Sequence, residues 1–555
     1  MSALTYTNHK TLRLSSKLLV LIFFSGYFLF GLSLVDDYGI HWDDHSQYLG
    51  GLVTAEHING LSGGLLSHKP FSSIRLEDYK DRTHGVIFQL VSLGIQNLLG
   101  ITDTRGIFLL RHYFTFIIFF TGLIFFFRLL MLRFGNRALA LLGVVFMILS
   151  PRIFADSFYN SKDIVFLSLT IMSTWTLIRF LQHTTFATAT FHSLVSALLI
   201  STRIVGIFVP AVTLLFLFLK PFILKGELIN GTAPTAAGLR ASLRVMLSRG
   251  IYYLFLMAML TVAFWPYLWD DPLSRFIEIF TTMSHFNWDD PTLFFGRFLN
   301  PSRLPFYYVP GWIAITTPVL YTLFFVLGII SVCYWRRRDL SGLIECVSLT
   351  MFVVPLFSVI LLGSVIYDGW RQMFFLYVPF LILSLVGFSE ILSFIERKFR
   401  SAIELRLKWA FFIIVILSCS STAIFMFRNH PYQNVYFNFM AGKETTKNFE
   451  ADYWGLSYRQ VLQYLLDHDS SDTIKILSAN WPGKANADIF PEEQKDRLQF
   501  VSPEKACYFI SNYRFPSEHD KLFNLEYPYN HPVFEIEVSG NKISGAYLLN
   551  RETLK

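Results

Sequence analysis

Cysteine is nearly absent from this chain: four residues in 555, Cys333, Cys346, Cys419 and Cys507, scattered with three of them in or beside apolar runs. That spacing excludes a disulfide framework or a CxxC metal site as the organising chemistry. Charge is also scarce, at 16% of residues against 53% hydrophobic and 17% aromatic, which is too little for a soluble enzyme of this size. No obvious internal repeat of the kind many transporters carry is present. The first apolar run, Leu18–Val35, has a basic flank but lacks a small-residue cleavage pattern, so it reads as an uncleaved signal anchor.

What the chain does contain is apolar runs bounded by charge, about eleven by the twenty-residue criterion for crossing a bilayer. They are Leu18–Val35, Phe108–Phe127, Ala138–Ser150, Ile164–Leu181, Phe186–Ile200, Ile204–Leu219, Ile251–Phe264, Trp312–Tyr334, Val347–Ile366, Phe374–Ile391 and Trp409–Phe427. The expected fold is mainly α: a polytopic membrane helix bundle over residues 1–428, then a small extracytoplasmic α+β domain over 429–555. Positive residues are retained on the cytoplasmic side. They cluster at Lys10, Arg13 and Lys17, at Arg128, Arg133 and Arg137, from Lys220 and Lys225 through Arg240, Arg244 and Arg249, at Arg336 to Arg338, and from Arg397 to Lys408. The +7 net charge therefore follows from topology and needs no nucleic acid. The one Asn-x-Ser/Thr sequon, at Asn230, falls in a predicted cytoplasmic loop and says nothing about glycosylation.

This orientation sends a set of polar stretches to the outer side. Asp36 to Gln47 leaves the first run with four carboxylates and two histidines, including His41-Trp42-Asp43-Asp44. One acid there is a plain polar cap; the cluster reads as half of an active site at the membrane surface. Val86–Leu99 has helical spacing with Gln89, Ser92 and Gln96 down one side, as a packing helix or as an interfacial floor for a site that handles a lipid. In Ser150 to Asp163, one continuous helix would place Arg152, Asp156, Tyr159 and Asp163 on a single face. They form either a mutual ion-pair network or a site, and Lys162-Asp163 opening an apolar span favours a cavity.

Arg203 is the only positive charge in a very short outer turn, where an arginine at depth costs about 3 kcal/mol. It either snorkels to the interface or meets a phosphate, which its planar fork suits. Arg371, in Tyr367-Asp368-Gly369-Trp370-Arg371, holds the equivalent place between the ninth and tenth runs. The loop 269–311 repeats Trp-Asp-Asp-Pro at Trp269 and Trp288, which reads as helix capping rather than metal binding, and Tyr307, Tyr308 and Trp312 read as an aromatic belt. Beyond Phe427, Leu456–Leu466 reads as a helix. Thr473–Ser478, Ala506–Ile510, Val533–Val538 and Ile543–Leu548 read as strands, with a hairpin turn at Gly540-Asn541. The aromatic runs His430 to Asn438 and Asp452 to Gly455 read as packing between that domain and the bundle.

The ordered set of an acidic pair after the first span, an interfacial helix, Ser150-Pro151-Arg152 through Lys162-Asp163-Ile164, Arg203, the Trp370-Arg371 turn and His430-Pro431-Tyr432-Gln433 resembles the C-type (GT-C) glycosyltransferase superfamily. Within it the chain is similar to bacterial relatives of protein O-mannosyltransferases and lipid A aminoarabinose transferases, often grouped as family 39. The resemblance covers roughly Leu18 to Asp452.

It implies a cell-envelope enzyme that moves a sugar from a polyprenyl-phosphate donor to an extracytoplasmic hydroxyl or phosphate on a lipid, glycan or protein acceptor, with inversion. By residue it implies Asp43 as base, Asp44 as a supporting acid where the family usually has Glu, and Asp163 as the second acid. Arg203 would hold the donor phosphate with Lys162, and Arg371 and Arg152 are further candidate cations. No metal is required by this scheme, and a divalent cation at Asp43 and Asp44 stays open. The expected setting is a bacterial inner membrane with the site on the periplasmic face. Two other readings remain: a transporter or flippase of lipid-linked sugars, and a scaffold whose outer domain recruits partners.

Overall fold

The computed structural model describes residues 2–64, 70–223, 236–284, 286, 288, 290–335, 337, 339–514 and 532–549. The sequon at Asn230, Lys225, Arg336, Arg338 and Asp289 of the second Trp-Asp-Asp-Pro element lie outside them. Seven helices among the described residues are long and apolar enough to cross a membrane, or eight if one bent pair is a single span. Three further expected runs fall on shorter apolar helices, Phe186–Thr202, Ile204–Lys220 and Val319–Tyr334.

The bundle opens with α1 (Ser2–Leu34), α2 (Asp44–Leu61), α3 (Ile87–Leu99) and α4 (Thr104–Phe134). Gln89 and Gln96 of α3 turn inward to Gln47 and Tyr48 of α2, while Leu98 and Leu99 face outward. A polar inner side and an apolar outer side suit a helix lying against lipid. Asp103 accepts the Gly106 N–H at 2.7 Å to cap α4.

Next come α5 (Arg137–Ile148) and α6 (Pro151–Tyr159), bent by 72°. Pro151 lacks the N–H a continuing helix would need, so it starts a new helix there. Then α7 (Asp163–Gln182), α8 (Phe186–Thr202), α9 (Phe208–Ile223), α10 (Ala236–Phe264) and α11 (Pro272–Ser284) follow. Asp271 accepts the Ser274 N–H at the start of α11, the capping role read from the first Trp-Asp-Asp-Pro element.

The loop 269–311 holds a hairpin of β1 (Thr292–Phe294) and β2 (Arg297–Leu299) that the sequence did not reveal. Its Phe294 packs on Tyr308 and Trp312, which are buried. The expected aromatic belt is thereby corrected: only Tyr307 stays exposed, because the hairpin folds over the other two rings. The run expected at Trp312–Tyr334 is two helices, α12 (Tyr308–Thr316) and α13 (Val319–Trp335), parted at Pro318. The bundle closes with α14 (Leu340–Leu362), α15 (Tyr377–Lys398) and α16 (Ser401–Arg428). Helices α13 and α15 touch backbone to backbone, since a Cβ on Gly328 would lie 1.9 Å from Leu383 O and one on Gly387 2.0 Å from Phe324 O. Without hydrocarbon to expel, such small-residue contacts are how membrane helices gain close packing.

After α16 the chain does not leave the bundle. Residues 429–457, with a one-turn α17 (Thr445–Asn448), put Phe449, Tyr453 and Trp454 into the bundle's own core. Then α18 (Tyr458–His468) packs Val461, Leu462 and Leu465 onto a five-stranded sheet. Its strands are β3 (Ile474–Ser478), β4 (Leu498–Phe500), β5 (Tyr508–Ser511), β6 (Pro532–Val538) and β7 (Asn541–Leu548), in the order β4-β3-β5-β7-β6. Parallel β3-β4 and β3-β5 pairs join an antiparallel β5-β7-β6 half. The β6-β7 turn is Ser539-Gly540, with φ of 51° and 78°, the left-handed pair that matches hairpin twist. Strand β4 was not expected: its three residues are too few to show alternation.

Candidate active site

The stretch Asp36–Gln47 is held on both sides. Tyr38 stacks on Phe158 at 4.8 Å and donates to Gln433, while Ile40 exchanges two hydrogen bonds with the Asn486 side chain at 2.9 Å each. Clamped so, it delivers Asp43 to the cap of α2. His41 Nδ1 accepts the Asp43 N–H at 3.1 Å, and His41 Nε2 lies 3.3 Å from Asp44 Oδ1. Since Nδ1 accepts, Nε2 carries the proton and faces the Asp44 carboxylate.

Asp43 and Asp44 point to different places. Asp44 is buried among His41, His112 at 3.7 Å and Arg111 at 3.4 Å. Burial alone would raise its carboxyl, but those three groups hold it well below the usual carboxylate range. Asp43, with its side chain 30% exposed, faces Arg371 at 3.5 Å. There too burial pushes upward, and Arg371, His41, Lys162 and Arg514 together outweigh it, keeping the carboxyl below its ordinary value.

Asp163 reaches the same place from the start of α7. The expected continuous helix through Asp163 is broken, because Asn160 Oδ1 accepts the N–H groups of Lys162 and Asp163 and Asn160 Nδ2 donates to Asp156 and Asp163. A side chain that bonds the backbone so strongly ends one helix and starts the next. Asp163 then pairs with Arg203 and, at 3.4 Å, with Arg371. Arg152 remains behind the break: its Nε donates to Tyr436 O at 3.1 Å and its guanidinium lies against Phe437 and Trp312. Thus Asp43, Asp163, Lys162, Arg203 and Arg371 come together, whereas Asp44 and Arg152 do not join them.

Arg371 is the centre of the group. Positive φ at Asp368 (55°) and Gly369 (74°) reverses the chain just before it, and Trp370 is anchored by a 3.0 Å bond to Thr316. Its guanidinium sits between the Tyr367 ring at 5.0 Å and the Trp454 ring at 4.5 Å, and pairs with Asp368 at 3.2 Å. Asp368 in turn pairs with Arg514, which follows β5 in the sheet and lies over Trp42 at 4.7 Å. The ion pairs form one chain, from Arg203 through Asp163, Arg371 and Asp368 to Arg514, with Asp43 branching from Arg371.

Lys162 stands beside this chain and, among the described residues, forms no ion pair. Burial and Arg203 bring its ammonium down to about 7, against the pull of Asp43 and Asp163. His84 joins this flank. Gly85 rests on the backbone next to Arg203, where a Cβ would lie 2.2 Å from Ser201 O and 2.6 Å from Thr202 O. The His84 ring meets Phe286, which stacks toward Tyr367 with Trp288 at 4.0 Å from the same ring. Burial, with Lys162 and Arg203, drives its imidazole well below the usual histidine value, so it is neutral and can still donate.

Sequence reading passed over His84, Asp368 and Arg514 as site residues. Asp368 had a signal, three positions before Arg371 in the same turn; His84 and Arg514 had none, being placed by loop closure and sheet register. Asp43 and Asp163 are engaged by guanidinium groups and Asp44 by Arg111 and two imidazoles. Among the described residues no three His, Cys, Asp or Glu side chains converge as ligands.

Neither a protein-family model nor a curated protein sequence matches the chain. Among solved structures it is similar to ArnT from Cupriavidus metallidurans in the apo state, at 11% identity over 96% of this chain and 98% of that one, TM-score 0.48. The same protein bound to undecaprenyl phosphate gives 12% identity over 95% and 97%, TM-score 0.43. The Archaeoglobus fulgidus oligosaccharyltransferase in the apo form gives 11% identity over 88% of this chain, TM-score 0.48, and the chain spans 65% of its length.

Proposed function

We propose that the chain is a membrane glycosyltransferase of the C-type kind, moving a sugar from a polyprenyl-monophosphate donor to an extracytoplasmic hydroxyl or phosphate with inversion. The observation that carries this reading is the meeting of Asp43, Asp163, Arg203, Arg371 and Lys162 at one end of the bundle. Of the acids there, only Asp43 is partly open; Asp163 is buried between two arginines.

Asp43 takes the proton of the acceptor hydroxyl as its oxygen attacks the anomeric carbon. The bond from that carbon to the phosphate oxygen breaks with its electron pair; Arg203 and Lys162 hold the leaving phosphate by fixed charges whose strength exceeds that in water, and neutral His84 donates a hydrogen bond to it. Donor and base are linked through Arg371: a bound phosphate offsets the positive field that keeps Asp43 a weak base, so its basicity rises when donor is present. Asp44 acts behind it as a positioning residue, since it orients His41, which in turn fixes the Asp43 backbone. The setting we propose is a bacterial inner membrane with the site on the periplasmic face.

The test is transfer of labelled sugar from polyprenyl-phosphate donors by purified protein in lipid. Asp43→Asn should lower the rate by about a hundredfold to ten-thousandfold, the usual range for a positioned base. Equal rates for variant and wild type would remove Asp43 as base, and donor moved across the bilayer without transfer would make the chain a transporter.

A further inference from the structure

Between the β1-β2 hairpin, the segment 446–453 and the sheet edge at β6-β7 lies a cleft of about 600 Å³, within the size range of small-ligand sites. Its inner end is Arg514, the terminus of the ion-pair chain, whose guanidinium covers Trp42 next to Asp43. The cleft thus lies at the opposite end of the ion-pair chain from Arg203, joined to the proposed base by the pairs Arg514–Asp368, Asp368–Arg371 and Arg371–Asp43.

The chemistry of its lining is neither that of an anion site nor that of an acyl-chain tunnel. Tyr513 and Tyr547 bring their hydroxyls together, and both reach Glu535, at 3.3 and 3.2 Å. Lys542 neutralises Glu535 at 2.7 Å. Deeper in, Glu450 is 5% exposed and accepts from Thr292 Oγ1 at 3.2 Å. Burial and the neighbouring Asp368 push its carboxyl up to about 7, so at neutral pH it can donate as well as accept. Phe298, half-exposed, gives the lining an aromatic face. Hydroxyls, amides and carboxyls that are already charge-balanced, interleaved with rings, recognise a neutral polyhydroxyl compound.

We propose that this cleft binds the acceptor, and that the acceptor presents a neutral glycan end whose reacting hydroxyl reaches Asp43 past Arg514. The inference rests on the glycosyltransferase reading and adds to it the acceptor class and its entry.

The experiment uses the full chain in lipid nanodiscs carrying Phe298→Cys, a half-exposed position at the cleft mouth. The rate at which a maleimide modifies the introduced thiol is read by mass spectrometry of that peptide. Neutral tetrasaccharides of glucose, mannose and N-acetylglucosamine are added in turn, with an uncharged tetrapeptide for comparison. One or more saccharides should slow modification roughly threefold at twice its dissociation constant, by mass action. Adding Glu450→Ala or Tyr547→Ala should abolish that protection. Lys447→Cys, on the exposed rim, serves as reporter should Phe298→Cys not fold.

Protection by the peptide alone, by nothing, or equally in the Glu450→Ala protein overturns the assignment. Undecaprenyl phosphate binding is measured on the same samples. Retained lipid-phosphate binding without saccharide protection sinks the acceptor cleft only, whereas loss of both sinks the glycosyltransferase reading itself.

Discussion

The two ends of the bundle each carry an ion network, and they differ in where the surplus cation sits. At the end away from Asp43, Arg133 and Arg337 meet Glu345, and Arg337 meets Glu390, with Arg397 joining from an exposed position. Three guanidiniums, one of them exposed, answer two carboxylates, and the network staples α4, α14 and α15 together. At the outer end Arg203, Lys162, Arg371 and Arg514 face Asp43, Asp163 and Asp368. Four cations against three carboxylates leave one positive charge unanswered, beside a carboxylate that solvent can reach. Both networks hold one cation more than carboxylates: in the first the spare one, Arg397, is exposed to solvent, whereas in the second Lys162 is half-buried among the site's charges, where an anion finds a place.

Substitutions at each end should separate these roles. Arg371→Ala removes the cation shared by three carboxylates, so transfer should fall by at least about a hundredfold and stability by roughly 3–5 kcal/mol. Activity assays and thermal unfolding in lipid read the two effects. Glu345→Ala at the other end should likewise cost roughly 3–5 kcal/mol, through an uncompensated buried arginine, and leave undecaprenyl phosphate affinity unchanged. If that affinity dropped as well, the two ends would not be independent.

Lys162→Met should weaken undecaprenyl phosphate binding by roughly tenfold to a hundredfold, the range for a hydrogen bond to a charged group, without loss of melting temperature. Because Lys162 loses its proton near pH 7, wild-type affinity should fall as pH rises through that value. Lys162→Arg, charged throughout, should remove that part of the pH dependence. A pH profile left unaltered by Lys162→Arg would take the lysine out of the phosphate site.

The smallest effect concerns Glu450. Its carboxyl is raised in the folded protein, so its contribution to stability is complete below the ordinary glutamate range and is lost as pH rises toward about 7 and beyond. Thermal unfolding between pH 5 and 8 should therefore be flatter in Glu450→Gln than in wild type, and parallel curves would refute the assignment.

Much of this arrangement was legible in the chain. The apolar runs fell on helices because lipid demands unbroken apolar length, and Arg203, Asp163 and Arg371 announced themselves as charges at depth. The family resemblance named Asp43 as base and Asp44 as its support, but no local pattern showed that Asp43 faces Arg371 while Asp44 turns to His41, His112 and Arg111. Arg152 was placed with Asp163 by helical spacing, but Asn160 interrupts that helix, an effect of one side chain on the backbone that periodicity does not register. Arg514 was out of reach of any local pattern: it meets Asp368 across 146 positions of sequence through the register of β5 against β3 and β7.

The same placement of Arg514 orders events during biogenesis. The helices that bear Asp43, Asp163, Arg203 and Arg371 are all inserted before the segment carrying Arg514 is made. Until β5 has docked between β3 and β7, Asp368 lacks one of its two arginines. A chain ending at the last span would carry Asp43, Asp163, Arg203 and Arg371 and leave Asp368 with Arg371 as its one arginine.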